Sequence, residues 1–252
     1  MANRYFIEMS YLGTNYHGWQ IQPNAITVQE TLNKALSTLL GETISATGAG
    51  RTDAGVHARF FVAHFDSKNG SLMDNQKFLY KINSILPRDI AIFNIKKVKP
   101  DANCRFDAIS RTYEYYISRK KNPFALEFSY PLFIPLNVKA MQDTAKILFE
   151  YIDFSCFSKS NTDTKTNNCR IMNANWSQVE DMLIFTITAD RFLRNMVRAI
   201  MGTMLEVGAQ KIAPNDLHKI IESKDRSMAG YSVPAQGLHL TEILYPQTLY
   251  NI

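Results

Sequence analysis

Residues 48–57 read Gly48-Ala49-Gly50-Arg51-Thr52-Asp53-Ala54-Gly55-Val56-His57. What flanks this stretch decides the fold. Residues 43–48 read as one strand, and residues 59–66, with aromatic and β-branched side chains, as a second. A dinucleotide loop opens a helix, whereas this loop leads into a strand. The third glycine of a G-x-G-x-x-G run begun at Gly48 would also fall on Asp53. No lysine–serine pair of a phosphate loop is present. What remains is one carboxylate among small residues, with Arg51 two places before it. Three glycines and two alanines would let a large planar group approach the backbone closely. The plainer alternative for Asp53 is an Asx-type turn joining two strands. A plain hairpin does not need ten residues of this composition.

Working outward, residues 4–11 and 90–99 read as strands. Residues 28–40 read as a helix with Val28, Leu32, Leu36 and Leu39 on one face. Thr27 and Glu30 form its capping box, and Gly41 ends it. Residues 74–85 read as a second helix, stopped by Pro87. The order β-α-β-β-α-β is that of the ferredoxin-like split unit. The second half repeats it, with strands at 111–119, 169–179, 182–190 and 238–245. Its helices fall at 138–149 and 192–207, with a short extra one at 215–223. The fold class is therefore α+β: two ferredoxin-like halves, residues 1–104 and 105–252, as a pseudo-duplication. Their mixed or antiparallel sheet carries helices packed on it and leaves a central cleft. The polar segment 158–168 reads as a mobile surface loop.

Composition narrows the function classes. Of 252 residues, 46% are apolar and 20% charged, enough for a core and too ordered for a disordered chain. No apolar run reaches the ~18 residues that span a bilayer. Glu8 interrupts any secretory leader, so a cytoplasmic protein is expected. Cys104, Cys156 and Cys169 form no CxxC pair and are odd in number, which suggests buried thiols rather than disulfides or zinc. Asp53 and His57 lie four apart with no third ligand nearby, so no metal site is expected. Lys plus Arg total 28 against 23 for Asp plus Glu. That net +5 suits a polyanionic partner.

Two further constellations point to RNA. On the helix read at 192–207, Arg191, Arg194 and Arg198 fall on one face, opposite a stripe of Leu193, Met196, Val197, Ile200, Met201 and Met204. Arginine's fork matches phosphate oxygens; the plainer reading is a solvated face. In Asn15-Tyr16-His17-Gly18-Trp19-Gln20, Trp19 and Gln20 pair a stacking surface with hydrogen-bonding groups, as single-stranded RNA recognition requires. The plainer reading is a packed tryptophan. The runs Lys96-Lys97-Val98-Lys99 and Arg119-Lys120-Lys121 are solvated surface or further phosphate contacts.

Taken together, these residues resemble the tRNA pseudouridine synthase A (TruA) family nearly end to end. The stretch 48–57 resembles its signature. Tyr16-His17-Gly18-Trp19-Gln20 with Val28-Gln29 resembles its opening. Arg105-Phe106 and Arg111-Thr112-Tyr113-Glu114-Tyr115 resemble its central tyrosine motif. Phe192-Leu193, Met196-Val197-Arg198 and Gly202 resemble its late helix, and Gly237-Leu238-His239-Leu240 its closing strand. Arg191 and Arg194 go beyond the family pattern. In Phe154-Ser155-Cys156-Phe157-Ser158-Lys159 a lysine stands where an arginine is expected.

The resemblance implies an isomerase that converts uridine to pseudouridine at positions 38, 39 and 40 in the anticodon stem-loop of tRNA, acting as a homodimer without a cofactor. Asp53 matches the catalytic aspartate and Tyr113 the active-site tyrosine. Arg51 and Arg198 match arginines near the acid, where a cation favours the charged carboxylate. Asp53 is then the nucleophile, attacking the sugar directly or promoting loss of a sugar proton. Arg51 braces either the acid or the RNA from which the base is flipped, and Tyr113 stacks on the uracil or acts as a base. The rival from another class is a non-catalytic RNA-binding protein or chaperone on the same scaffold; a narrower rival modifies a different RNA.

Overall fold

A computed structural model describes residues 2–68, 76–159 and 166–250. The chain divides into two compact units, residues 1–109 with 240–252, and residues 110–239. Among the described residues nine strands and five α-helices make the protein mixed α+β.

In the first unit, β1 (Asn3–Tyr11) lies between β3 (His57–Ser67) and β4 (Ile90–Val98), antiparallel to both. Tyr5, Phe6, Ile7 and Met9 are all fully buried, so β1 is covered on both faces. The helix α1 (Val28–Leu40) starts where expected: Thr27 accepts the Glu30 N–H, and Gly41 closes it in the left-handed region. It buries Val28, Leu32 and Leu36, and α2 (Gln76–Ile85) packs beside it. Residues 74 and 75 of the expected second helix lie outside the described residues, as do residues 160–165 of the expected loop.

The strand expected at 43–48 shrinks to β2 (Thr47–Gly48). The cause is side-chain competition for its backbone. Asn33 Oδ1 accepts the Ala46 N–H at 2.9 Å, and Gln29 Nε2 donates to the Ala46 carbonyl at 2.7 Å. Ser37 Oγ accepts the Ile44 N–H at 2.9 Å. With these groups taken by α1, no ladder can run through residues 44–46.

In the second unit, β8 (Met182–Ala189) pairs antiparallel with both β5 (Ser110–Ser118) and β7 (Ile171–Val179). A short β6 (Tyr130–Pro131) runs parallel to β5. Helix α3 (Val138–Ile147) packs against β7 and against α4 (Met196–Gly208); α5 (Asp216–Ser223) follows. Nearly every residue of α4 is buried, so it is a core helix and not an amphipathic surface one.

A simple cut at residue 104 fails at both ends. Asp107 and Ile109 donate backbone N–H groups to Asn103 and Leu244 within the first unit. The last strand, β9 (Leu238–Leu244), begins in the second unit and ends in the first. Beyond it, Tyr245 donates to the Cys104 carbonyl at 2.6 Å and its ring meets Phe6 at 5.2 Å. Those contacts hold the C-terminal segment to the first unit, and residues 240–252 do not group with the second.

Candidate active site

The loop 48–57 sits between β2 and β3, and the segment 13–19 is folded against it. Three links hold the two together. The Trp19 N–H donates to the Thr52 carbonyl at 3.2 Å, the Gly55 N–H to the Tyr16 carbonyl at 3.3 Å, and the Gly13 N–H to His57 Nδ1 at 3.0 Å. Nδ1 accepts there, which ties the His57 ring to the Gly13 backbone. Gly18 has φ +87, and an added Cβ would stand 2.4 Å from the Thr52 carbonyl oxygen. Only glycine lets the two backbones approach so closely. Tyr16 is pinned in turn: its hydroxyl donates to Asp89 Oδ1 at 2.7 Å. Burial, reinforced by that bond, pushes its phenol up.

On this frame Asp53 is half-buried and Arg51 is exposed. The Asp53 carbonyl accepts the Val56 N–H at 3.2 Å, closing a turn around Ala54 and Gly55. This is a backbone turn that carries the acid; the Asx-type turn given as the plain alternative would instead need the Asp53 carboxylate itself to accept a backbone N–H. The smallness of Gly48 has a different cause from the one expected. A Cβ there would lie 2.5 Å from the Trp19 indole and 2.8 Å from Phe61. Gly48 is small for Trp19, not for a substrate base.

Trp19 itself is 1% exposed, with its ring 4.3 Å from Phe61 and 6.3 Å from Tyr11. A ring enclosed in this way cannot stack on RNA, so Trp19 is corrected from an RNA contact to the packing that backs the loop. Gln20, next to it, is exposed.

The remaining candidates belong to the second unit. Tyr113 is half-buried on β5, edge-on to Phe192 at 5.2 Å. Arg198 stands in the first turn of α4. Its Nε donates to the Val233 carbonyl at 2.8 Å, and its own carbonyl accepts the Val233 N–H at 3.3 Å. This orientation depends on Gly202, where a Cβ would meet the Tyr231 carbonyl oxygen at 1.8 Å. Segment 230–233 can thus lie directly on α4 and aim the guanidinium.

Arg191 and Arg194 do not share a helix face with Arg198. Asn195 takes φ 67, in the left-handed region, so helical backbone begins only at Met196. Arg191 is half-buried and Arg194 exposed, both in the preceding loop. The Arg191 N–H donates to Asp190 Oδ1 at 2.7 Å, and the Arg194 carbonyl accepts from the Lys159 N–H at 3.1 Å. Periodicity alone carried the helix four residues too far, because Phe192 and Leu193 fit an apolar stripe equally well.

The basic runs are partly committed elsewhere. Arg119 donates to the Leu132 and Ile134 carbonyls, Lys120 pairs with Asp181 at 2.9 Å, and Lys96 with Glu8 at 2.8 Å. All three cysteines are buried, and none is in a disulfide. Burial pushes the Cys156 and Cys169 thiols up to about 12, so neither is a nucleophile near neutral pH. Among the described residues no helix is long and apolar enough to cross a membrane.

The chain is also similar to known proteins. A family model described as tRNA pseudouridine synthase matches residues 8–107 and 151–246, which include the Asp53 loop and α4. The tRNA pseudouridine synthase A of Bacteroides fragilis is 52% identical over 251 residues, covering 99% of both chains. That of Parabacteroides distasonis is 50% identical over 249 residues, covering 99% of this chain and 98% of its own. That of Clostridium acetobutylicum is 39% identical over 241 residues, covering 95% and 98%.

Proposed function

The chain belongs to the tRNA pseudouridine synthase family, and on that premise we propose that it isomerises uridine to pseudouridine at positions 38, 39 and 40 in the anticodon stem-loop of tRNA. The observation that carries the reading is the Asp53 loop. A half-buried carboxylate stands on a backbone fixed from outside, inside the matched region. A binding protein has no need of an acid held in this way.

The chemistry asks little beyond that acid. The C1′–N1 bond breaks with its electron pair leaving on the uracil, which turns and bonds through C5 to C1′. The C5 hydrogen is lost to solvent and N1 takes a proton, so the net change is an isomerisation. Asp53 serves as the nucleophile, adding to C1′ directly or first assisting loss of a sugar proton. The stem-loop base must leave its stack to reach it, at a cost of a few kcal/mol. Arg51, exposed beside Asp53, braces the acid or the opened RNA. Tyr113 stacks on the uracil or takes a proton; its phenylalanine variant separates these, since only the second role needs the hydroxyl. Arg198 binds substrate, supported by its fixed orientation, and Arg191, Arg194 and Gln20 contact RNA at the rim.

We also infer a cytoplasmic homodimer, because an anticodon arm is longer than the reach of one small subunit. Sedimentation of the pure protein tests the dimer. For the activity, unmodified tRNA is incubated with the protein and pseudouridines are mapped by chemical probing. Signals at 38–40 support the proposal, and their absence refutes it.

A further inference from the structure

We propose that Tyr11 is a positioning residue for Asp53, acting through the hydroxyl of Thr52; this rests on the isomerase reading above. The Tyr11 hydroxyl and Thr52 Oγ1 are 2.9 Å apart across 41 residues of sequence. Both residues are buried, Tyr11 at 2% and Thr52 at 7% exposure. Each hydroxyl satisfies the other in a place where an unpaired one is costly.

Tyr11 is fit to act as a fixed point. It ends the strand that lies between two others, opposite Ala58 on β3 and Ile90 on β4. Its ring is edge-on to Phe61 at 5.5 Å and tilted against Trp19 at 6.3 Å. The β1–β3 register shifts between Met9 and Tyr11. An irregularity of this kind re-aims a strand's side chains, and here it comes just where the phenol leaves the sheet for the loop.

Thr52 is then held by two different groups. Its carbonyl accepts from Trp19 and its side chain meets Tyr11. Asp53 is the next residue, so its Cα lies one peptide, about 3.8 Å, from an anchored one. A turn at Thr52 swings the carboxylate directly. A displacement of about 1 Å at a reacting group can cost about 10²-fold in rate, whereas tRNA affinity is spread over many contacts elsewhere.

The test is single-turnover pseudouridine formation with enzyme in excess, alongside tRNA affinity and melting temperature. Tyr11→Phe is expected to lower the rate about 10- to 100-fold with affinity changed less than about twofold. Thr52→Ser keeps the hydroxyl and the rate; Thr52→Val loses the rate as Tyr11→Phe does. The double variant Tyr11→Phe with Thr52→Val falls no further than either single one, as expected of groups acting as one unit. Tyr245→Phe is the control. It removes a phenol bond to the Cys104 carbonyl in the same unit, lowering the melting temperature without changing the rate. A Tyr11→Phe rate within about twofold of wild type, or losses that multiply in the double variant, overturns the proposal. If the wild-type protein forms no pseudouridine, the isomerase reading fails, and the brace is judged by hydrogen exchange. Faster exchange of the Gly55 and Val56 amides in Tyr11→Phe supports it, and unchanged exchange overturns it.

Discussion

Replacing Gly18 by alanine tests how the segment 13–19 supports the Asp53 loop. Gly18 has φ +87, where an L-residue carries about 1–2 kcal/mol of strain. The new Cβ would also stand 2.4 Å from the Thr52 carbonyl oxygen, 3.2 Å from the Asp53 carbonyl carbon and 3.3 Å from the Ala54 nitrogen. These are backbone atoms, so the loop itself must move, and overpacking of that kind costs about 1–3 kcal/mol more. The sum is about 2–5 kcal/mol. Gly41 supplies the comparison, because it has φ +68 with nothing within 4 Å of its added Cβ. Gly41→Ala therefore incurs only the first contribution, about 1–2 kcal/mol. At about 2–4 °C per kcal/mol for a chain of this length, the melting temperature falls by about 2–8 °C in Gly41→Ala and about 4–20 °C in Gly18→Ala. Since the displaced atoms flank the carboxylate, only Gly18→Ala should also slow turnover. Differential scanning fluorimetry with a turnover assay decides it. A Gly18→Ala protein as stable and as active as Gly41→Ala would refute the close approach.

Trp19→Phe should cost about 1–3 kcal/mol of stability, through lost contact with Phe61 and Gly48, and leave tRNA affinity unchanged; a selective loss of affinity would return Trp19 to the RNA. His64 lies against Cys104 at 3.1 Å, and burial, aided by the Arg4 guanidinium, holds its imidazole below the usual 6.5. The native state then binds fewer protons than the unfolded chain just below pH 6.5, so this stability is present above that pH and is lost as pH falls through the folded value. Melting curves from pH 7 to 5 should fall more steeply for wild type than for His64→Asn; parallel curves would exclude His64 as the source. Arg194→Gln should lower the log–log salt slope of tRNA binding by about 1, and an unchanged slope would remove Arg194 from the phosphate contacts.

The legible parts of the fold were those that side-chain pattern alone determines. Helix α1 was readable because Thr27, Gly41 and the Val28–Leu32–Leu36 face all agree. The first strand was readable from its buried aromatic and aliphatic residues. Residues 44–46 were not, because Gln29, Asn33 and Ser37 take their backbone groups from a distance. The start of α4 was hidden because one residue, Asn195, adopts a backbone conformation that apolar spacing does not encode. Asp53 was legible as a candidate from the loop's composition, while its supports were not. The Gly18, Tyr11 and Thr52 contacts join segments about 40 residues apart. Their only local trace is a glycine set between aromatics in Tyr16-His17-Gly18-Trp19.

Formation of the C1′–C5 bond expels the hydrogen of C5, so tRNA transcribed with uridine tritiated at C5 reports the reaction directly. The wild-type protein should release that tritium to solvent with turnover and with no added cofactor, up to the number of target uridines per tRNA. Asp53→Asn, which keeps the shape and removes the proposed nucleophile, should bind the same tRNA and release none. Release by Asp53→Asn at the wild-type rate would contradict the role of Asp53, and no release by the wild type would contradict the activity.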